Sequence, residues 1–176
     1  MVTGSLSWTT GCAAGTVESR IWEVLSQVPD PEIPVLTVVD LGVIRYVQTD
    51  EPGKVVIGLS PTYSGCPATA TIRASIMEAL RMGGFGAVRV VEVLSPAWTS
   101  DWLSAQGREK LRRYGIAPPA ETVNSTRHLL GAAPLVKCPH CESAKTTLVS
   151  AFGSTPCKSL YRCDSCLEPF DYFKCH

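Results

Sequence analysis

Ser60-Pro61-Thr62-Tyr63-Ser64-Gly65-Cys66-Pro67-Ala68 joins an apolar, strand-like run, Lys54 to Leu59, to a helix-like run, Ala68 to Met82. Pro61, Gly65 and Pro67 make the joint a tight turn. Pro67 suits the first helical position, where a backbone N–H has no partner to lose. Cys66 therefore falls at or near a helix N-terminus, whose partial positive charge favours anions. A sulfur so placed can bind metal, join a mixed disulfide or attack an electrophile. It can equally be a small apolar filler, as most free cysteines are. The turn alone leaves both readings open.

Working outward, Val43 to Val47 is β-branched and aromatic, and Asp50-Glu51-Pro52-Gly53 turns it into the Lys54–Leu59 run as an antiparallel hairpin. Upstream, Thr16 can cap a helix whose apolar residues Val17, Ile21, Val24, Leu25 and Val28 share one face, with Pro29 stopping it. In Asp30-Pro31-Glu32-Ile33-Pro34 the prolines forbid regular structure. Its two carboxylates can hold a metal or orient a thiol, although Asp before Pro is more often a turn residue. Thr37 to Leu41 fits a short helical turn ended by Gly42.

Downstream, Ile72, Ile76, Ala79 and Leu80 form the buried stripe of the Ala68–Met82 helix, which Gly83-Gly84 ends. Ala87 to Leu94 reads as a third strand. Thr99 or Ser100 can cap a last helix over Asp101–Tyr114, on which Arg108, Lys110, Arg112 and Arg113 read as a solvated face. The order helix, strand, strand, helix, strand, helix predicts an α+β domain over 16–114, with helices covering a short mixed sheet. Residues 1–15 read as a loose leader carrying Cys12, and 115–134 as a linker.

Residues 135–176 form a second unit. Cys138-Pro139-His140-Cys141 and Cys163-Asp164-Ser165-Cys166 are two C-x-x-C pairs separated by 21 residues. Two such turns complete a tetrahedral sulfur site. The residues between suit a hairpin, Thr146–Phe152 returning through Ser159–Arg162, with Pro169–Phe173 as a third strand. The expectation is a zinc ribbon held by Cys138, Cys141, Cys163 and Cys166, with a structural metal favoured over an iron–sulfur or redox centre. About 40 residues bury too little core to fold unaided. Cys157 is a candidate extra ligand, as is Cys175.

Sixteen basic residues balance sixteen acidic ones. No strongly basic surface is implied, which argues against nucleic-acid or anionic-membrane binding. The N-terminal stretch has no basic, apolar signal pattern, and no window reaches the length of a membrane span. Eight cysteines in such a chain suggest a reducing, cytoplasmic setting and metal or thiol chemistry.

Taken together, Asp30-Pro31-Glu32-Ile33-Pro34, Val39-Asp40-Leu41-Gly42 and Thr62-Tyr63-Ser64-Gly65-Cys66-Pro67 resemble the SufT-like iron–sulfur cluster assembly family. Phe152-Gly153-Ser154-Thr155-Pro156-Cys157-Lys158, Tyr161-Arg162-Cys163 and Glu168 to Lys174 narrow the resemblance to its PaaD branch, over about residues 17–175. The resemblance implies a non-catalytic maturation factor for the multicomponent phenylacetyl-CoA epoxidase of aerobic phenylacetate degradation. That complex has a di-iron oxygenase subunit and a flavin and [2Fe–2S] reductase. The implied partners are those oxygenase and reductase subunits and the iron–sulfur assembly machinery. A homodimer sharing the thiol is compatible with the sequence. By the same resemblance Cys66 is the reactive thiol that contacts cargo, a transient or stable iron–sulfur cluster. Asp30, Glu32 and Thr62 shape its pocket.

Two other readings compete. A cysteine-nucleophile enzyme built on Cys66 needs a base, yet His128, His140 and His176 all lie in the linker or ribbon. A plain zinc-ribbon interaction module, for nucleic acid for example, is disfavoured by the balanced charge and the lack of an aromatic-basic stripe.

Overall fold

The computed structural model describes residues 15–50, 54–63, 65–119 and 135–174. The leader, the hairpin tip at 51–53, Ser64, the segment carrying His128, and Cys175 with His176 lie outside the described residues.

The first helix, α1 (Val17–Leu25), is capped as its sequence implies, with Thr16 Oγ1 accepting from Ser19 N at 3.2 Å. Its apolar stripe buries Ile21 and Leu25 completely. Strands β1 (Ile44–Asp50) and β2 (Lys54–Leu59) pair antiparallel, and β3 (Ala87–Glu92) lies parallel to β2. The parallel step requires a crossover, which α2 (Ala68–Met82) supplies. Ile72, Ile76 and Leu80, each four apart, face the sheet and are buried. The expected α+β domain with a short mixed sheet is present.

The expected Asp101–Tyr114 helix is split. Ser100–Trp102 makes only a 3-10 turn capped by Thr99, and Leu103 is extended. Ser104 then caps the true helix, α3 (Ala105–Tyr114), by accepting from Gly107 N at 2.8 Å. The cause lies 64 residues away. Asp40 O accepts from Ser104 N at 2.8 Å, and Asp40 Oδ2 pairs with Lys110 Nζ at 2.6 Å. Asp40 thus fixes where α3 begins.

The basic cluster on α3 is accordingly not one solvated face. Arg108 donates to the carbonyls of Ser100 and Pro119, whereas Arg112 and Arg113 pair with Glu109. Two residues after Asp40, Gly42 sits at φ +65°, and a Cβ there would collide with the Trp102 carbonyl oxygen. Only glycine serves.

A second sheet has the order β4 (Ile116–Ala117), β7 (Pro169–Phe173), β6 (Lys158–Cys163), β5 (Thr146–Ser150). Its β4 leaves α3 directly and pairs parallel with β7. The sheet therefore takes in Ile116 and Ala117, at the start of the stretch that reads as a linker. Tyr161, Phe170 and Tyr172 stack within it around Cys138 and Cys163.

The two sheets share a core. Cys157, 5% exposed, and Phe173, 1% exposed, belong to the same buried cluster as Ile57, Leu59 and Ile76. Phe173 meets Trp98 edge-on at 6.2 Å between ring centroids, while Trp98 Nε1 donates to Leu41 O at 2.9 Å. Burying two such aromatic side chains contributes several kcal/mol (about 2–3 each) to docking.

Candidate functional site

Two groups of chemistry-bearing side chains stand out. The first is the sulfur set of the second sheet. Cys138, Cys141, Cys163 and Cys166 have sulfurs all within 4.8 Å of one another. Cys138 Sγ and Cys166 Sγ are 3.7 Å apart, and Cys141 Sγ and Cys163 Sγ 3.5 Å. A tetrahedron with 2.3 Å metal–sulfur bonds has edges of about 3.8 Å, so the four sulfurs already fit an ion at their centre. Cys163 Sγ accepts from Cys166 N and Ser165 N, each at 3.4 Å. Those backbone N–H groups, with the Cys141 and Cys166 thiols, overcome burial and draw the Cys163 thiol down to about 6. The arrangement therefore favours a thiolate at Cys163.

The second group lines a cavity at the Cys66 turn. Its wall includes Asp30, Glu32, Ser60, Thr62, Cys66, Cys157 and Phe173. The turn is built as the prolines and glycine dictate. Gly65 takes φ +81°, Cys66 N donates to Tyr63 O, and Thr69 N to Cys66 O. Pro67 occupies the cap position, one place earlier than expected, and α2 starts at Ala68. Cys66 is half-buried in the wall of the cavity.

Asp30 is 7% exposed, and its Oδ1 accepts from Glu32 N at 2.9 Å and Ile33 N at 2.7 Å. Burial pushes its carboxyl above the usual range against those two bonds. Asp30 is therefore committed to holding the loop, and the loop aims Glu32. Thr62 lines the wall beside Cys66.

Glu32 reaches the second sheet. Cys157 Sγ donates to Glu32 Oε2 at 3.5 Å and lies 3.0 Å from Thr155 Oγ1. Burial pushes the Cys157 thiol up to about 11; Thr155 opposes the shift, and the Glu32 charge reinforces it. Tyr63 lies near the same groups. Burial first, then its hydrogen bond with Cys66 and the charges of Cys66, Glu32 and Cys157, push its hydroxyl up to about 12. Ser60, 1% exposed, also lines the cavity, and its Oγ has no hydrogen-bond partner among the described residues.

The structure thus gathers Asp30, Glu32, Thr62 and Cys66 in one place and the four ribbon cysteines in another. Cys157 stands with the first group and outside the four-sulfur set. Sequence reasoning missed Ser60, Tyr63 and the placement of Cys157. The one available signal was the Thr155-Pro156-Cys157-Lys158 run, whose distant target no local pattern reveals. No histidine lines the cavity among the described residues, and His140 instead adjoins Gly115.

This fold and pair of sites define an iron–sulfur assembly-type domain joined to a four-cysteine β-ribbon. The model of the iron–sulfur cluster assembly protein family matches residues 18–94, and that of the PaaD zinc β-ribbon domain matches 122–174. The chain is 58% identical, over 156 residues, to an Escherichia coli K12 protein provisionally named as one of the subunits of 1,2-phenylacetyl-CoA epoxidase. That alignment covers 89% of this chain and 92% of the relative. The chain belongs to the PaaD family.

A Porphyromonas gingivalis W83 protein named Fe-S protein maturation auxiliary factor is 33% identical over 95 residues, which is 53% of this chain and 90% of that one. The crystal structure of a domain of unknown function, DUF59, from Bacillus anthracis superposes with a TM-score of 0.50 at 27% identity. It covers 53% of this chain and 90% of its own.

Proposed function

We propose that this chain is a non-catalytic factor that assembles or targets a metal centre for the multicomponent phenylacetyl-CoA epoxidase. Cys66 handles the iron–sulfur cargo, and a structural zinc ion fills the four-cysteine ribbon. The observation that carries the reading is the cavity at the Cys66 turn, whose wall a half-buried thiol shares with two carboxylates on a domain of assembly-family type. The name of the Escherichia coli relative supports the epoxidase subunits as partners, and that of the Porphyromonas gingivalis relative supports maturation over catalysis.

Balanced charge supports protein partners over nucleic acid. No helix of the described residues is long and apolar enough to cross a membrane. A cytoplasmic site of action follows from the reduced-thiol chemistry the reading requires.

The test co-expresses the epoxidase components with the wild type or with Cys66→Ala. Iron and acid-labile sulfide are then measured in the purified oxygenase and reductase. The variant should fold and retain its ribbon metal while the complex emerges deficient in metal. A fully metallated, active complex would sink the proposal.

A further inference from the structure

We infer that the four-cysteine ribbon is a hinged lid on the Cys66 cavity. Docked, it closes the cavity to anything larger than a water, and it swings away as a folded unit to admit cargo. The purpose of the motion rests on the function proposed above; the motion itself does not.

Four observations carry the inference. The cavity measures about 20 Å³, and a single water needs about 10–15 Å³ by the same kind of measure. Nothing the size of an iron–sulfur cluster enters while its walls stand as they do. Second, those walls come from two units. Leu59, Cys66 and Ile72 belong to the assembly domain, whereas Cys157 and Phe173 come from the ribbon. Cys157 immediately precedes β6, and Phe173 ends β7 opposite Lys158, so one end of one strand pair supplies the ribbon's share.

Third, the seam is narrow and the ribbon has a core of its own. No strand of one sheet pairs with a strand of the other. The Trp98–Phe173 ring contact and the Cys157–Glu32 hydrogen bond hold the seam. Tyr161, Phe170 and Tyr172, with the four sulfurs, lie within the ribbon and stay together when it leaves. Fourth, a related assembly domain stands without such a cover. The Porphyromonas gingivalis relative is matched over 95 residues, 90% of its length, which leaves no room for a second unit of this size.

The hinge is Gly115. It caps α3 at φ +87° and leads directly into β4, where Ile116 joins the assembly core and Ala117 the ribbon core. Glycine absorbs a backbone rotation that a side chain would resist. Opening breaks the Cys157–Glu32 hydrogen bond and withdraws Phe173 from the shared core. No covalent bond changes.

The test uses the full, reduced chain with its ribbon metal in place at pH 8. Labelling of each cysteine is followed by mass spectrometry, with iodoacetamide as the small reagent and a polyethylene-glycol maleimide as the bulky one. Phe173→Ala loosens the seam without touching Cys66 or a ribbon sulfur. It should speed iodoacetamide at Cys157 and the bulky maleimide at Cys66 by about tenfold each, as a local opening does. Metal content and amide protection over β6 and α2 should persist. Phe173→Leu should give a smaller, parallel rise, and it decides if Phe173→Ala fails to fold.

A rise at Cys157 with none at Cys66 overturns the lid, because the ribbon then does not cover the site. No rise at either cysteine overturns it too. So does loss of β6 protection in step with Cys157 labelling, since the ribbon then unfolds rather than swings. If Cys66→Ala blocks epoxidase metallation while Cys66 labels alike with and without Phe173, the function stands and the lid falls. If both cysteines open in Phe173→Ala but the epoxidase is fully metallated beside Cys66→Ala, the lid stands and the function falls.

Discussion

Cys157 Sγ donates to Glu32 Oε2 at 3.5 Å across a sequence separation of 125 residues. One residue belongs to the ribbon and the other to the loop that frames the Cys66 turn. The two units are therefore not beads on a string, because a wall of the cavity is made from each.

Phe173→Ala should uncouple them. Phe173 is 1% exposed within the shared core and meets Trp98 edge-on, so truncation should cost about 3–5 kcal/mol. Urea unfolding would show this as a lower midpoint. Cys157 should become open to alkylation in the same variant under native conditions.

The raised Cys157 thiol has a pH signature. A group whose folded value lies above its ordinary one adds stability that is complete below the ordinary value and is lost as pH rises to the folded one. For Cys157 that window runs from 9.0 to about 11. The melting temperature of the wild type should therefore fall relative to Cys157→Ser across this interval. At pH 8, iodoacetamide should leave native Cys157 unlabelled by mass spectrometry, since the thiolate is the nucleophile.

Asp40 behaves in the opposite sense. Burial opposes its ionisation, but Lys110 and the Thr37 backbone and hydroxyl outweigh it and hold the carboxyl below the usual range. Its stabilisation is present above the ordinary value of 3.8 and disappears as pH falls through the lower folded value. Asp40→Asn should cost about 2 kcal/mol at neutral pH, allowing for the part-exposed Lys110. The gap from wild type should close in acid melts below about pH 4.

Stripping the ribbon metal should melt β5 to β7 while leaving α2 and the first sheet folded. Metal analysis should give one zinc per chain in the wild type, and Cys138→Ser should abolish its retention. Amide exchange should then show protection lost over 135–174 and kept over Ala68–Met82. Persistence of the ribbon without metal would contradict the expectation that so small a sheet cannot stand alone.

The local elements were legible because their causes are local. The Ile72, Ile76, Leu80 spacing marks α2, and the Thr16 hydroxyl marks where α1 starts. The C-x-x-C pairs marked the four-sulfur set for the same reason, since each turn brings two sulfurs together by itself. What stayed hidden depends on long-range contact. Nothing near Asp101 in sequence announces that Asp40 will accept from Ser104 and restart the helix there. Nor does anything beside Cys157 reveal that Phe173 docks on Trp98 and carries that thiol away from the neighbouring ribbon sulfurs. A candidate ligand assigned by proximity along the chain went to the nearest C-x-x-C, whereas docking decided otherwise.

Trp98 stands where the two units meet, 4% exposed, with its indole N–H tied to Leu41 and its ring against Phe173. The chain has three other tryptophans, Trp8, Trp22 and Trp102. With those replaced by Phe, the remaining fluorophore would report on the seam alone. Its emission would stay blue while the ribbon is seated and shift red when water reaches the ring. The molecule thus carries its own optical gauge of whether its two halves are closed.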